Sequence, residues 1–362
     1  MTDTFTRRHF LTTGAALCGV GALRAQDPVA APDGSASKDM LTPEAIKAID
    51  RGLAYLASAQ HRDGGFGDRT QYEGNVAIVA LCGLAFMAGG NQPGRGQYGR
   101  NVTRALEFVL SKEQNNPHGF LYNPYGSSHP GPMYSHGFAT MFLAEAHGMV
   151  NDKDLRRRLR ETLARAVQVI CKAQNQEGGW RYQPIPQQAD ISVTISQIMA
   201  LRSARNAGLE VPRSVVDKCV DYIKGCQASD GGFRYFKQGG TSLFPRSAAA
   251  VCGLYSAGIY NGPAVTRGLE YLRTFKPSGS RGYFRGGDEM HYYYGHYYAA
   301  QAMWTAGGDY WKQWFPAIRE DLLARARRDG GWTDNQVGTD YGTAMACIIL
   351  QIPNNYLPIL QK

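Results

Sequence analysis

Six times along this chain a helix-like segment runs into a glycine followed at once by an aromatic residue: Gly65-Phe66, Gly119-Phe120, Gly179-Trp180, Gly232-Phe233, Gly282-Tyr283 and Gly331-Trp332. The aromatics are separated by 54, 60, 53, 50 and 49 residues. One unit of roughly fifty residues therefore repeats six times. A period of that length specifies stacked supersecondary units before any single motif is weighed.

Each unit divides the same way. Ahead of the turn lies an amphipathic stretch, such as Ile46 to Gln60 or Val215 to Gln227, with apolar residues three and four apart, which predicts a helix with one face in solvent. Behind the turn comes a stretch of small and apolar residues, such as Asn75 to Ala88, Gly137 to Ala146, Ile195 to Ala204 and Ser247 to Gly258. Helices of that composition are apolar nearly all round and suit burial on both sides. The Gly-Gly pairs at the turns supply the backbone freedom between the two helices. Four units also carry a glutamine six residues before the aromatic, at Gln60, Gln114, Gln174 and Gln227.

A helical hairpin cannot bury its apolar face alone, so neighbouring hairpins must stack. An open stack needs polar caps at both ends, yet the first and last units are as apolar as the middle ones. Closure into a ring removes the ends. The expected fold is all-α: an (α/α)6 toroid of six hairpins, with six inner helices around a central cavity and six outer helices in solvent.

Arg51-Gly52, Tyr55-Leu56, Gln60, Gly64 and Phe66 are similar to the QW repeat of squalene-hopene cyclases, and the layout resembles the terpenoid cyclase and protein prenyltransferase toroid superfamily over roughly residues 42 to 362. The resemblance implies an aromatic cavity for an isoprenoid-type ligand. It does not carry over the family chemistry. Class II cyclases use a DxDD acid motif, and the matching stretch, Asp190-Ile191-Ser192-Val193-Thr194, keeps only the first aspartate and the threonine. The zinc ligands of protein prenyltransferases match Tyr294, His296 and Gly342, so one ligand of three survives and neither a zinc site nor another cofactor is expected. The thioester motif of the complement-like toroids is absent.

The first 26 residues read as a twin-arginine signal, with Thr6-Arg7-Arg8-His9-Phe10-Leu11 followed by a mildly apolar stretch and a cleavage site after Ala25. Residues 27 to 41 read as a Pro/Ala/Gly/Ser tether, and 42 to 362 as the toroid domain. The expected location is periplasmic or otherwise outside the cytoplasm. Six cysteines follow the signal, singly placed in helical stretches, and are expected to be buried thiols. Cys219 and Cys226 lie two helical turns apart, roughly 10 Å, too far to bridge.

The formal net charge is +9. Much of it lies at Arg156, Arg157, Arg158, Arg160 and Arg165, a run that suits a solvated outer face better than an anionic polymer or a membrane surface, although a membrane contact is left open. Basic stripes interleaved with stacking aromatics are lacking, so nucleic acid is not an expected partner.

Function has to come from the cavity, because a toroid is a scaffold. Aligning the inner helices on their first turns gives one ring of Glu73, Tyr134, Asp190, Phe244, Tyr294 and Asp340. Two residues on, a second ring reads Asn75, His136, Ser192, Arg246, His296 and Gly342. In a closed ring the inner helices run parallel, so their positive dipole ends gather at this mouth. Asp190, His136, His296, Glu73 and Asp340 are the candidate acid-base groups. Arg246, Tyr134, Ser192, Asn75, Tyr294 and Tyr297 are the candidate ligand contacts. Two function classes follow. One is an isoprenoid-type ligand bound or transformed among aromatics. The other is an exported carbohydrate lyase or hydrolase using the carboxylates, with Arg246 holding a uronate. A non-catalytic scaffold is a third use of the same ring.

Overall fold

The structure, a computed structural model, describes residues 40–125, 131–277 and 291–361. The signal, nearly all of the tether and the Gly282-Tyr283 turn lie outside the described residues. Twelve helices are present among the described residues, alternating outer and inner. The outer ones are α1 (Pro43–Ala59), α3 (Gly99–Ser111), α5 (Lys153–Ala173), α7 (Arg213–Gly225), α9 (Pro263–Arg273) and α11 (Gly308–Arg325). The inner ones are α2 (Val76–Ala88), α4 (Pro132–His147), α6 (Ile191–Asn206), α8 (Phe244–Ser256), α10 (Tyr292–Ala306) and α12 (Thr339–Gln351).

Each inner helix packs against the next, and α12 packs back against α2, so the ring closes as the repeat demands. Burial follows composition. Every residue of α2 except Ala77 is buried, whereas α1 buries only Ala45, Ile49, Gly52, Leu53 and Leu56 along one stripe. At ~25 cal/mol per Å² of apolar surface removed from water, such two-sided burial is the main force holding the ring together.

The turns show why the repeat has its glycines. Gly64, Gly119, Gly178, Gly231 and Gly330 all have φ between +90° and +95°, which a side chain would resist. The next outer helix also passes directly over each. A Cβ on Gly231 would stand 2.6 Å from the Arg267 carbonyl oxygen, and one on Gly330 2.7 Å from that of Arg51. In the Gly-Gly turns only the first glycine needs this backbone freedom. The second is required by space: a Cβ on Gly232 would stand 2.6 Å from Ser242 Cβ.

Three repeat glutamines act as staples. Gln60 Nε2 donates to Gly64 O and Asn101 O, Gln174 Nε2 to Gly178 O and Val215 O, and Gln227 Nε2 to Gly231 O and Ala264 O. Each one ties its own turn to the first turn of the following outer helix. Gln114 differs, because its unit forms a β-hairpin, β1 (Glu113–Asn115) with β2 (His118–Leu121), and its amide donates to Lys112 O and Tyr122 O inside that hairpin. The described turn aromatics, Phe66, Phe120, Trp180, Phe233 and Trp332, are buried in the core, and Trp180 and Trp332 donate their indole N–H to Ile170 O and Leu322 O at 2.7 Å.

The seam between last and first units uses these contacts and adds others. Helix α1 packs chiefly on α12, and Arg51 Nη2 donates to Arg327 O and Arg328 O. Asp68 accepts from the Thr339 amide at the start of α12, and Asp340 Oδ2 accepts from the Gly67 amide at 2.8 Å. At the opposite end the chain finishes across the ring: Trp304 Nε1 donates to Leu360 O and Glu145 Oε2 accepts from the Ile359 amide.

All six cysteines among the described residues are free thiols, five of them buried. The basic run on α5 is largely neutralised where it stands: Arg157 faces Asp154 and Glu161, Arg158 faces Glu107, and Arg165 binds Glu113. No described helix is long and apolar enough to cross a membrane.

Candidate functional site

The inner-helix N-termini surround a cavity of about 480 Å³, within the roughly 300–1,000 Å³ common for ligand sites. Its wall is built from residues of the first two turns of the inner helices: Asn75, Ile78 and Leu81 from the start of α2, Tyr134 and Phe138 from α4, Ser192 from α6, Arg246 from α8, Tyr294 from α10 and Tyr341 from α12. Loop residues complete the mouth, among them Tyr72, Tyr182, Tyr235, Leu243 and His291. Among the described residues that line it, none is an aspartate or glutamate.

Of the expected ligand contacts, Asn75, Tyr134, Ser192, Arg246 and Tyr294 line the cavity. Tyr297 does not; it is buried one layer away with its ring edge-on to Phe138. Asn75 is also the N-cap of α2, its Oδ1 accepting from the Ala77 and Ile78 amides.

The expected acid-base groups are all placed elsewhere. Two positions along a helix is a rotation of about 200°, so Tyr134 and Tyr294 facing the cavity turn His136 and His296 into the outer layer. His136 Nδ1 accepts from the Leu121 amide at 3.0 Å and Nε2 lies 3.1 Å from Ala166 O, to which it donates. Both ring nitrogens thus bind backbone, and burial lowers the pKa to about 4. His296 sits among Tyr292, Phe244 and Trp314, where burial lowers its pKa to about 3. Both imidazoles are neutral near pH 7 and neither lines the cavity. Phe244, from the same alignment, packs into this cluster too.

Asp190 is a helix cap: its Oδ1 accepts from Val193 N at 2.9 Å, Arg181 Nε stands 3.8 Å from Oδ2, and the side chain is fully buried. Burial raises its pKa to about 6, against the lowering effects of the Val193 amide, Arg181 and the Tyr235 hydroxyl. Asp340 spends its carboxylate on the Gly67 amide and the Tyr55 hydroxyl across the seam. Glu73 is exposed and is not among the lining residues. Two rings of side chains, with the acid-base groups among them, were expected at the mouth. The structure draws its wall from members of both rings and gives the Asp190 and Asp340 carboxylates to backbone amides.

Tyr182 and Tyr235 escaped the sequence reading. Their hydroxyls lie 2.6 Å apart at the mouth, while the Arg181 guanidinium stacks over both rings and Arg246 lies 5.4 Å over that of Tyr235. Their backbone carbonyls accept from Met133 N and Ile191 N, so each also caps the start of the preceding inner helix. The signal that could have found them is positional. Each stands two residues after its turn aromatic, as Tyr122 does after Phe120. Among the described residues no group of three or more His, Cys, Asp or Glu converges to hold a metal ion.

A toroid with an aromatic cavity of this kind defines a class of protein, and the family follows from the sequence match. The chain belongs to the prenyltransferase alpha-alpha toroid domain family, whose model matches residues 34–121 and 133–276. No curated protein matches the sequence. Solved structures share the fold at low identity. The type II terpene cyclase MstE from Scytonema aligns with a TM-score of 0.56 at 14% identity, covering 87% of this chain and 100% of that one. A cellobiose 2-epimerase from Spirochaeta thermophila gives 0.64 at 13%, covering 88% and 98%. An inactive variant of an α-1,6-mannanase from Salegentibacter, in complex with α-1,6-mannotriose, gives 0.58 at 8%, covering 84% and 97%. The fold is thus shared by cyclases, epimerases and glycoside hydrolases.

Proposed function

We infer that the central cavity binds, and in its native setting holds or transforms, a hydrophobic molecule of isoprenoid type. The observation that carries this reading is the wall itself: seven aromatic rings, from Tyr72, Tyr134, Phe138, Tyr182, Tyr235, Tyr294 and Tyr341, with aliphatic side chains between them and no carboxylate among the described lining residues. Such a surface gains from burying apolar ligand area and offers π faces to any developing cation. Sugar hydrolysis asks instead for two carboxylates facing across the cleft, roughly 5 to 10 Å apart. The candidates for that pair, Glu73, Asp190 and Asp340, do not line the cavity. One relative of the fold supports the ligand class: a variant of the cyclase MstE was solved with its substrate, geranylgeranyl dihydroxybenzoate.

Export through the N-terminal twin-arginine segment belongs to the same proposal, since such a protein would meet its ligand outside the cytoplasm. The test is mass spectrometry of organic and aqueous extracts of the mature protein, purified from its native cell. A stoichiometric isoprenoid is the expected result. An oligosaccharide bound in its place would overturn the reading.

A further inference from the structure

We propose that the ligand of the central cavity carries one acidic head, a carboxylate, and that Arg246 binds it. This rests on the reading of the cavity as a hydrophobic-ligand site and adds the polarity of the ligand's end. Arg246 lies in the first turn of α8, half-buried in the cavity wall. Burying a guanidinium is costly unless an anion answers it. Other partly buried arginines are answered by an acceptor: Arg165 by Glu113, Arg325 by Asp321 and Arg181 by Asp190, while Arg104, Arg202 and Arg234 donate to backbone carbonyls or a tyrosine hydroxyl. Among the described residues Arg246 has no carboxylate within 4.0 Å, and its recorded contact is the face of the Tyr235 ring.

The local carboxylates are not available to it. Asp190 caps α6 and sits beside Arg181, and Asp340 is held by Gly67 and Tyr55 across the seam. Burial pushes the Arg246 pKa down against the raising effects of Tyr235, Tyr271, Tyr294 and Asp190, yet a guanidinium stays charged at any ordinary pH. Arg246 is therefore the one permanent cation among the described lining residues. The N-termini of the inner helices open toward the same mouth and add a positive field.

The size of the charge selects the head. A single guanidinium matches the two oxygens and single charge of a carboxylate in a forked pair. A diphosphate, with about three charges at neutral pH, would leave most of its charge facing tyrosine rings, which favour cations over anions. The Ser192 hydroxyl lies on the same wall and can donate to a carboxylate oxygen.

The test measures binding to the full-length mature chain by equilibrium dialysis, with radiolabelled geranylgeranoic acid, geranylgeraniol and palmitic acid as probes. The acid is expected to bind at least tenfold tighter than the alcohol at pH 7. In R246Q that preference should vanish while the alcohol binds as before, and R246K should keep part of it. An unchanged circular dichroism melt would show that R246Q is folded. Equal affinity for acid and alcohol in the unmodified protein would overturn the head-group assignment and leave the hydrophobic cavity standing. No binding of any probe would overturn the cavity reading itself. Palmitic acid binding as tightly as geranylgeranoic acid would support the carboxylate head and overturn the isoprenoid chain.

Discussion

The Gly67 amide of the first turn donates to the Asp340 carboxylate of the last inner helix at 2.8 Å, across 273 residues of sequence. Beside it, Asp68 accepts from Thr339 N. The ring is therefore fastened by two neighbouring aspartates, each serving backbone of the opposite partner. Asp68→Ala should cost about 1–2 kcal/mol, as the loss of a helix cap does. It should also raise amide exchange in α1 and α12 before the rest of the ring. Uniform loosening of all helices would show that the seam is no weaker than the other joints.

Asp190 separates a cap from a catalytic acid. Its folded pKa, about 6, lies above the unfolded value, so the stability it contributes is complete below about pH 4 and is lost as pH rises through 6. Asp190→Asn keeps an acceptor for the Val193 amide and removes the charge. The variant should melt at nearly the same temperature at pH 4 and show a smaller fall between pH 4 and 6 than the unmodified protein. A parallel pH profile for the two proteins would contradict this placement.

Glu145 makes the same argument at the far end of the ring. Buried against the Ile359 amide, its carboxyl is pushed up to about 7 by desolvation. Stability from this group is complete below about pH 4 and is lost as pH rises through 7. In Glu145→Gln the decline between pH 4 and 7 should flatten, and the protection factor of the Ile359 amide should no longer change with pH.

The turn glycines differ in kind. Gly178→Ala combines φ +95° with a close approach to Lys218, and should cost more than the ~1 kcal/mol of the backbone conformation alone. Gly231→Ala should behave alike. Chemical denaturation measures both, and a loss under 1 kcal/mol would mean that the following outer helix gives way easily.

The staple glutamines predict an asymmetry. Gln174→Leu and Gln227→Leu each remove two hydrogen bonds at a joint between units and take the glutamine donor from the turn carbonyl of Gly178 or Gly231, at about 1–3 kcal/mol. Gln114→Leu, whose bonds stay within its own hairpin, should leave the joint between its unit and the next intact. Comparing exchange protection in α5, α7 and α9 across the three variants distinguishes them.

Spacing alone was enough to reach the ring. The glycine-aromatic period sets the number of units, the two kinds of amphipathicity separate outer from inner helices, and apolar end units demand closure. These are local or near-local properties, repeated until they leave one solution. The carboxylates and histidines looked equally legible, because they fall at matching positions near the start of the inner helices. Which of them face inward depends on rotation about each helix axis, and an error of two residues there reverses the face. That rotation is set by partners far away in the chain: Leu121 and Ala166 draw His136 outward, Gly67 claims Asp340, and Arg181 sits beside Asp190. Likewise Tyr182 and Tyr235 become a pair only when two loops 53 residues apart meet at the mouth. A repeat pattern records how each unit packs on its neighbour. The side chains left facing the space in the middle are decided only once every unit is in place.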